Sequence, residues 1–239
     1  MDQNRKKNPP AILNEILESI SRDRTRTNLL KKYEQKAIAF LVQRIPSWIS
    51  SNMLTAVGFT GSFIVFSAFV LATYFSKYYL LLGVPGFLIS WFGDSLDGRL
   101  AYYRKKPRKN YGFVLDVTID WISIIFIGGG YILYSEGIWE ILGYIFVVMY
   151  GWEMIIVVMR YKITGDYSID AGKFSPTEAR ILISAIMILE VIFPGSLGYS
   201  TIILGITLFI INIFDTHKLL KIADGIDKKE KKENFPAPD

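Results

Sequence analysis

Four aspartates, Asp94, Asp97, Asp116 and Asp120, are the residues of this 239-residue chain best placed to do chemistry. Each lies at the end of a strongly apolar run, where a lone carboxylate is costly and an ionisable group faces a cavity, a partner or an ion. On helices, Asp94 and Asp97 stand at i and i+3, and Asp116 and Asp120 at i and i+4. Each pair therefore shares one helix face. The short polar stretch 103–111 joins the two runs as antiparallel neighbours, which brings both pairs to the same depth. Four like charges in one place repel unless cations neutralise them. Hard carboxylate oxygens suit Mg2+, Mn2+ or Ca2+, and two divalent ions balance four aspartates.

Gly98 and Gly112 each sit beside one of these pairs. A residue without a side chain lets a ligand approach the helix backbone, although glycines equally serve close helix packing in membranes. Arg104, Lys105, Lys106, Arg108 and Lys109 form a basic rim that would draw in an anion. The same run also fits a purely topological role. Carboxylates, divalent ions and a basic entrance together suggest a bound pyrophosphate.

The elements that must position these residues are membrane helices. Hydrophobic residues make up 51% of the chain, mean hydropathy is +0.30, and the apolar residues come in long blocks. A hydrocarbon core of about 30 Å needs roughly 20 apolar helical residues. Six spans are predicted, at 53–75, 79–102, 112–134, 137–160, 177–195 and 198–218. With six spans, both termini share one side, and every Lys and Arg except Lys77 falls there. That side is the cytoplasm by the positive-inside rule.

The expectation is an all-α integral membrane protein of six transmembrane helices, with both termini cytoplasmic and an amphipathic interfacial helix before the first span. That helix lies within 29–50, where Leu29, Tyr33, Ile38, Leu41, Val42 and Ile45 form an apolar stripe and Trp48 stands at the end. Residues 1–28 read as a polar tail, 51–222 as the membrane domain and 223–239 as a charged tail, with 1–12 and 224–239 disordered. No signal peptide is recognisable at the N-terminus, so the first span is expected to direct insertion. The absence of cysteine excludes disulfides and thiol chemistry. Lipid headgroups and topology account for the net charge of +5, so no nucleic acid is expected as a partner.

The aspartates sit in a motif that resembles the CDP-alcohol phosphatidyltransferase family, whose signature is D-x-x-D-G-x-x-A-R, eight residues, then G-x-x-x-D-x-x-x-D. Here it reads Asp94, Asp97, Gly98 and Ala101, then Tyr102, and later "GFVLDVTID" from Gly112 to Asp120. Tyr102 stands where the family has Arg, and nine residues rather than eight precede Gly112. Arg99 or Arg104 are candidates for the missing phosphate contact. "RIPSWISSNMLTAVG", which contains Asn52 and Thr55, and "PTEAR", which contains Glu178 and Arg180, are similar to segments of the choline and ethanolamine phosphotransferase branch. Glu178 and Arg180 would either pair with each other or position a headgroup. That branch usually carries His after the third aspartate, where this chain has Val117.

The resemblance implies a two-metal enzyme with Mg2+ or Mn2+ on Asp94, Asp97, Asp116 and Asp120, and with Asp120 as general base. It implies nucleotide contacts at Asn52, Thr55, Gly98, Ala101 and Gly112. The donor would be a CDP-alcohol, the acceptor a lipid or small alcohol, the product CMP beside a phosphodiester, and the assembly a homodimer. A CDP-amino alcohol with diacylglycerol is the preferred pairing; the alternative is CDP-diacylglycerol with serine, inositol or glycerol phosphate. Two rival readings are an ion transporter, which would want acidic groups through the full membrane depth, and a silent nucleotide-lipid scaffold. His217 fits a helix-end position better than a catalytic one.

Overall fold

The computed structural model describes residues 30–165 and 175–234, and every regular element among them is helical. The helices are α1 (Lys31–Val42), α2 (Ser51–Tyr74), α3 (Gly83–Tyr103), α4 (Lys109–Tyr134), α5 (Glu140–Thr164), α6 (Pro176–Ile192) and α7 (Ser196–Asn234). Single 3-10 segments, Lys77–Leu82 and Gly137–Trp139, lead into α3 and α5. Five helices are long and apolar enough to cross a membrane: α2, α3 with its 3-10 lead, α4, α5 with its lead, and α7 as far as Lys231. The chain is built as a multi-pass membrane protein. Phe63, Leu88, Ile155, Ile203 and Phe214 are exposed on its outer faces, a surface suited to lipid tails rather than water. The expected fifth span appears as α6, but its 17 residues reach only about 26 Å, short of a typical hydrocarbon core.

Lipid tails are as apolar as the helices, so association must come from close packing. The α2–α3 crossing is the tightest example. A Cβ on Gly93 would collide with the backbone of Gly58 and the carbonyl of Leu54, and one on Gly61 would strike the backbone of Ser90. The two helices thus touch backbone to backbone. Gly130 of α4 packs on Phe69 of α2, while Gly128 and Gly143 close the α4–α5 contact against Val147 and Tyr131. Helix α7 packs on α5, and α6 packs on α3 and α7.

Two apolar clusters result. One joins Val65, Phe69, Phe87, Ile124, Ile127, Phe146 and Met187, with their neighbours, through the middle of the bundle. The other, of Ile38, Ala39, Val42, Leu54, Leu96 and Leu100, lies under α1. Between them, α2, α3 and α4 turn polar side chains toward one another: Thr55, Asp97, Ser90, Asp116 and Ser123 are all buried.

Helix α1 departs from the expected stripe. Ile38, Ala39 and Val42 are buried against the bundle, but Tyr33 is 74% exposed. Leu29 lies outside the described residues. The start of α1 is tied to α6, where Thr177 Oγ1 donates to Glu34 Oε1 at 3.1 Å and the Leu30 N–H donates to Glu178 Oε1 at 3.1 Å. These bonds set the helix rotation, and Tyr33 falls off the buried face. A second correction concerns 224–234, expected to be disordered. Helix α7 continues to Asn234, since Lys and Glu are good helix formers and Asp224 pairs with Lys228 one turn on, at 2.6 Å. The polar tail 1–28, the segment 166–174 with Lys173, and residues 235–239 lie outside the described residues.

Candidate active site

Asp94 projects from α3 and Asp116 and Asp120 from α4, and their carboxylates offer oxygens within 4.8 Å of one another. Asp97 lines the same cavity, together with Thr55, Ser90 and Ser123. Its carboxylate is held on both sides: Thr55 Oγ1 donates to Oδ2 at 2.7 Å, and the Gly98 N–H donates to Oδ1. The backbone contact of α2 with α3 puts Thr55 one turn from Gly58 and directly opposite Asp97. A guanidinium meets the cluster, with Arg180 Nη2 2.7 Å from Asp94 Oδ2. Carboxylates gathered this closely repel one another strongly in a low-dielectric setting.

The donor set fits divalent ions. Carboxylate oxygens from two helices, gathered within a few ångström with hydroxyls beside them, are what hard Mg2+ or Mn2+ requires. Gly112, at the start of α4, is exposed, and a Cβ there would meet no atom of the described residues within 4 Å. Packing among the described residues therefore does not require its lack of a side chain.

A profile of the CDP-alcohol phosphatidyltransferase family matches residues 48–213. The chain belongs to that family. No curated protein matches the chain. The family transfers phospholipid head groups from CDP-alcohols and depends in general on divalent metal. The matched region contains α2 to α6, the first 18 of the 39 residues of α7 and all four aspartates, and leaves out α1 and the rest of α7.

Measured against the family signature, the other candidate residues divide into those near the cavity and those held elsewhere. Gly98 and Ala101, half-buried on α3, follow the aspartates on that helix. Asn52 accepts from Arg108 Nη2 at 2.8 Å and donates to the Tyr111 hydroxyl at 3.2 Å, while the Arg108 guanidinium stacks 4.0 Å over the Tyr111 ring. Asn52 thus joins the first turn of α2 to the α3–α4 loop. Arg104 is turned away from the cavity. It donates to the carbonyls of Ile45 at 3.2 Å, Pro46 at 2.8 Å and Ile49, and so locks the turn between α1 and α2. Arg99 donates to the Ser95 carbonyl of its own helix at 2.5 Å.

Glu178 also acts structurally: with Ser175 it forms the capping box that starts α6. It does not pair with Arg180, whose partner is Asp94. Ser90 and Ser123 were not singled out from the sequence. Their signal was helical spacing, since Ser90 lies four residues before Asp94 and Ser123 three after Asp120. Two polar residues of α7 also escape notice in the sequence: Asn212, which donates to the Met149 carbonyl of α5 at 2.8 Å, and Asp215, which lies 3.6 Å from Arg160 of α5.

Proposed function

We propose that the chain transfers a phospho-alcohol or phosphatidyl group from a CDP-alcohol to a hydroxyl acceptor and releases CMP. The observation that carries this reading is the convergence of Asp94, Asp116 and Asp120 within 4.8 Å, with Asp97 on the same cavity wall. Asp94, Asp97, Asp116 and Asp120 would hold two divalent ions, Mg2+ or Mn2+. When bound, the ions supply positive charge that offsets the pyrophosphate and the departing CMP.

The protein's own groups have separate tasks. Thr55 fixes the Asp97 carboxylate in one rotamer through its 2.7 Å bond. Gly98, Ala101 and Gly112 leave backbone open to the nucleotide, with Asn52 and Thr55 at its edge. Asp120 takes the proton of the attacking hydroxyl at a carboxylate oxygen while the new oxygen–phosphorus bond forms and the bond to CMP breaks. Arg180, 2.7 Å from Asp94, is the arginine best placed to meet a phosphate. Arg104 and Arg99 are engaged with backbone carbonyls.

In this reading the chain passes the membrane six times, with α6 as the short fifth passage. α1 lies at the interface, and both termini and the site face the cytoplasm. The one-sided distribution of Lys and Arg supports the orientation. The family suggests a homodimer. The likeness of 44–58 to the choline and ethanolamine branch favours a CDP-amino alcohol donor with diacylglycerol as acceptor. Val117, where that branch carries His, favours the second reading, CDP-diacylglycerol with serine, inositol or glycerol phosphate.

The test is CMP release by purified protein with Mg2+ or Mn2+. One set offers CDP-choline or CDP-ethanolamine with diacylglycerol, and the other CDP-diacylglycerol with the three small acceptors. Release confined to one set and abolished by EDTA is expected and identifies the half that carries the nucleotide. Metal and CDP binding without release in either set would favour a silent scaffold, the reading that Tyr102 motivates.

A further inference from the structure

A second polar cluster lies in the seam between α5 and α7. Glu153 Oε1 and Oε2, Asp215 Oδ2, Thr216 Oγ1 and Asn212 Oδ1 are all buried there without a hydrogen-bond partner. Asn212 is fully buried, and its Nδ2 donates to the Met149 carbonyl at 2.8 Å, one turn from Glu153 on α5. Asn212, Asp215 and Thr216 share one face of α7 by their i, i+3, i+4 spacing. The cation of the seam is Arg160, whose Nη2 lies 3.6 Å from Asp215 Oδ2, an ion pair too long for a hydrogen bond. Two carboxylates against one guanidinium leave a net charge of −1. Unpartnered buried acceptors are costly, and several on one seam call for a donor from outside the chain.

The seam lies at the same depth of the bundle as the aspartate cavity. Asp120 lies eleven residues in from Lys109 of α4 and Glu153 eleven residues in from Thr164 of α5, so both sit about 16 Å from the same end of the bundle. Tyr150, one turn before Glu153, is within electrostatic reach of Asp94, Asp120 and Arg180 on one side and of Glu153 on the other.

We propose that this seam binds the primary ammonium group of an amino-alcohol substrate, held by Glu153, Asp215, Asn212 and Thr216. The inference rests on the transferase reading and narrows its substrate class. A −NH3+ group brings one positive charge and three N–H donors to a site with a net charge of −1 and a surplus of acceptors. A quaternary ammonium has the charge but no N–H, and so leaves the acceptors unmet. A neutral alcohol leaves the charge uncompensated, and a divalent ion carries more charge than a site of −1 balances. The ammonium belongs either to a CDP-linked amino alcohol or to an amino-alcohol acceptor, and the two arms of the test separate these.

The test uses the full chain in lipid nanodiscs with Mg2+ and reads affinity by calorimetry. The first arm compares CDP-ethanolamine with CDP-propanol, its neutral isostere, and with CDP-choline and CDP. The second arm loads CDP-diacylglycerol and compares serine with glycerate, in which a hydroxyl replaces the ammonium. In one arm the primary ammonium ligand is expected to bind at least about tenfold tighter than its neutral counterpart, the worth of a charge-assisted hydrogen bond. Glu153→Gln and Asp215→Asn should each remove that preference. CDP affinity serves as the check on folding, and the wild-type comparison decides even where a variant misfolds. The inference is overturned by no preference in either arm, by a preference that survives both substitutions, by tighter binding of CDP-choline than CDP-ethanolamine, or by loss of one bound Mn2+ in Glu153→Gln. Failure of CDP itself to bind in the presence of metal would instead remove the transferase reading beneath it.

Discussion

A single buried carboxylate at one end of the bundle and a cluster of carboxylates at the other show two ways in which a membrane protein can accommodate acidic groups. Glu190, near the end of α6, is 4% exposed. It accepts from the N–H groups of Gly195 at 2.9 Å and Leu197 at 2.7 Å, and from the hydroxyls of Tyr134 at 3.1 Å and Ser196 at 3.4 Å. Those donors are Gly195 just before α7, the first turn of α7 and the last residue of α4, so one carboxylate closes a helix start and ties three helices together. At the other end, Asp94, Asp116 and Asp120 crowd within 4.8 Å of one another. Glu190 is met by donors on every side, whereas Asp94, Asp116 and Asp120 bring their oxygens within 4.8 Å of one another, with Arg180 on Asp94. The first arrangement suits a scaffold; the second suits the cation-binding role proposed above.

The contrast can be broken by substitution. The largest effect is expected for Asp120→Asn, which should lower the rate of CMP release by about 10²–10⁴-fold, the usual worth of a general base, while CDP binding persists. Turnover near the wild-type rate would remove Asp120 from the proton-transfer role. Next comes Glu190→Ala, expected to cost about 3 kcal/mol of stability by stranding buried donors, with KM for the CDP-alcohol unchanged. Thermal unfolding in detergent alongside steady-state kinetics reads both quantities, and a KM effect without a stability loss would erase the distinction between the two ends. The smallest is Gly112→Ala. The added methyl meets no atom of the described residues within 4 Å, so unfolding should be unaffected while the CDP-alcohol KM rises about tenfold, roughly 1.4 kcal/mol of lost binding. An unchanged KM would mean that the open space at Gly112 is not used by the nucleotide.

Much of this arrangement was legible in the sequence because it is local. The apolar runs mark the helices, and the i, i+3 and i, i+4 spacings put each aspartate pair on one face. The illegible parts depend on distant partners. Arg104 belongs to a basic run that reads as a substrate funnel, yet its guanidinium donates to the carbonyls of Ile45, Pro46 and Ile49 in a turn more than 50 residues away. Nothing near Arg104 in the sequence announces that partnership. Glu178 shows the opposite case, since Ser175 and Glu178 stand at capping-box spacing and the local signal was present. The exposed Tyr33 followed from the rotation of α1, which Thr177 and Glu178 set from 140 residues away or more. The α5–α7 cluster is likewise a product of packing, which brings Asp215 to Arg160 and Asn212 to the Met149 carbonyl across more than 50 residues of sequence.

The length of α7 has a mechanical corollary. Its 39 residues extend about 58 Å, nearly twice the thickness of a bilayer's hydrocarbon core. The charged stretch from Asp224 onward is continuous with the buried part of the same helix, and so forms a rigid mast rather than a tether. Anything fastened near its tip is carried at a set height and bearing from the bundle, and a tilt of the membrane-embedded portion would swing that tip through the largest arc of any point in the described protein.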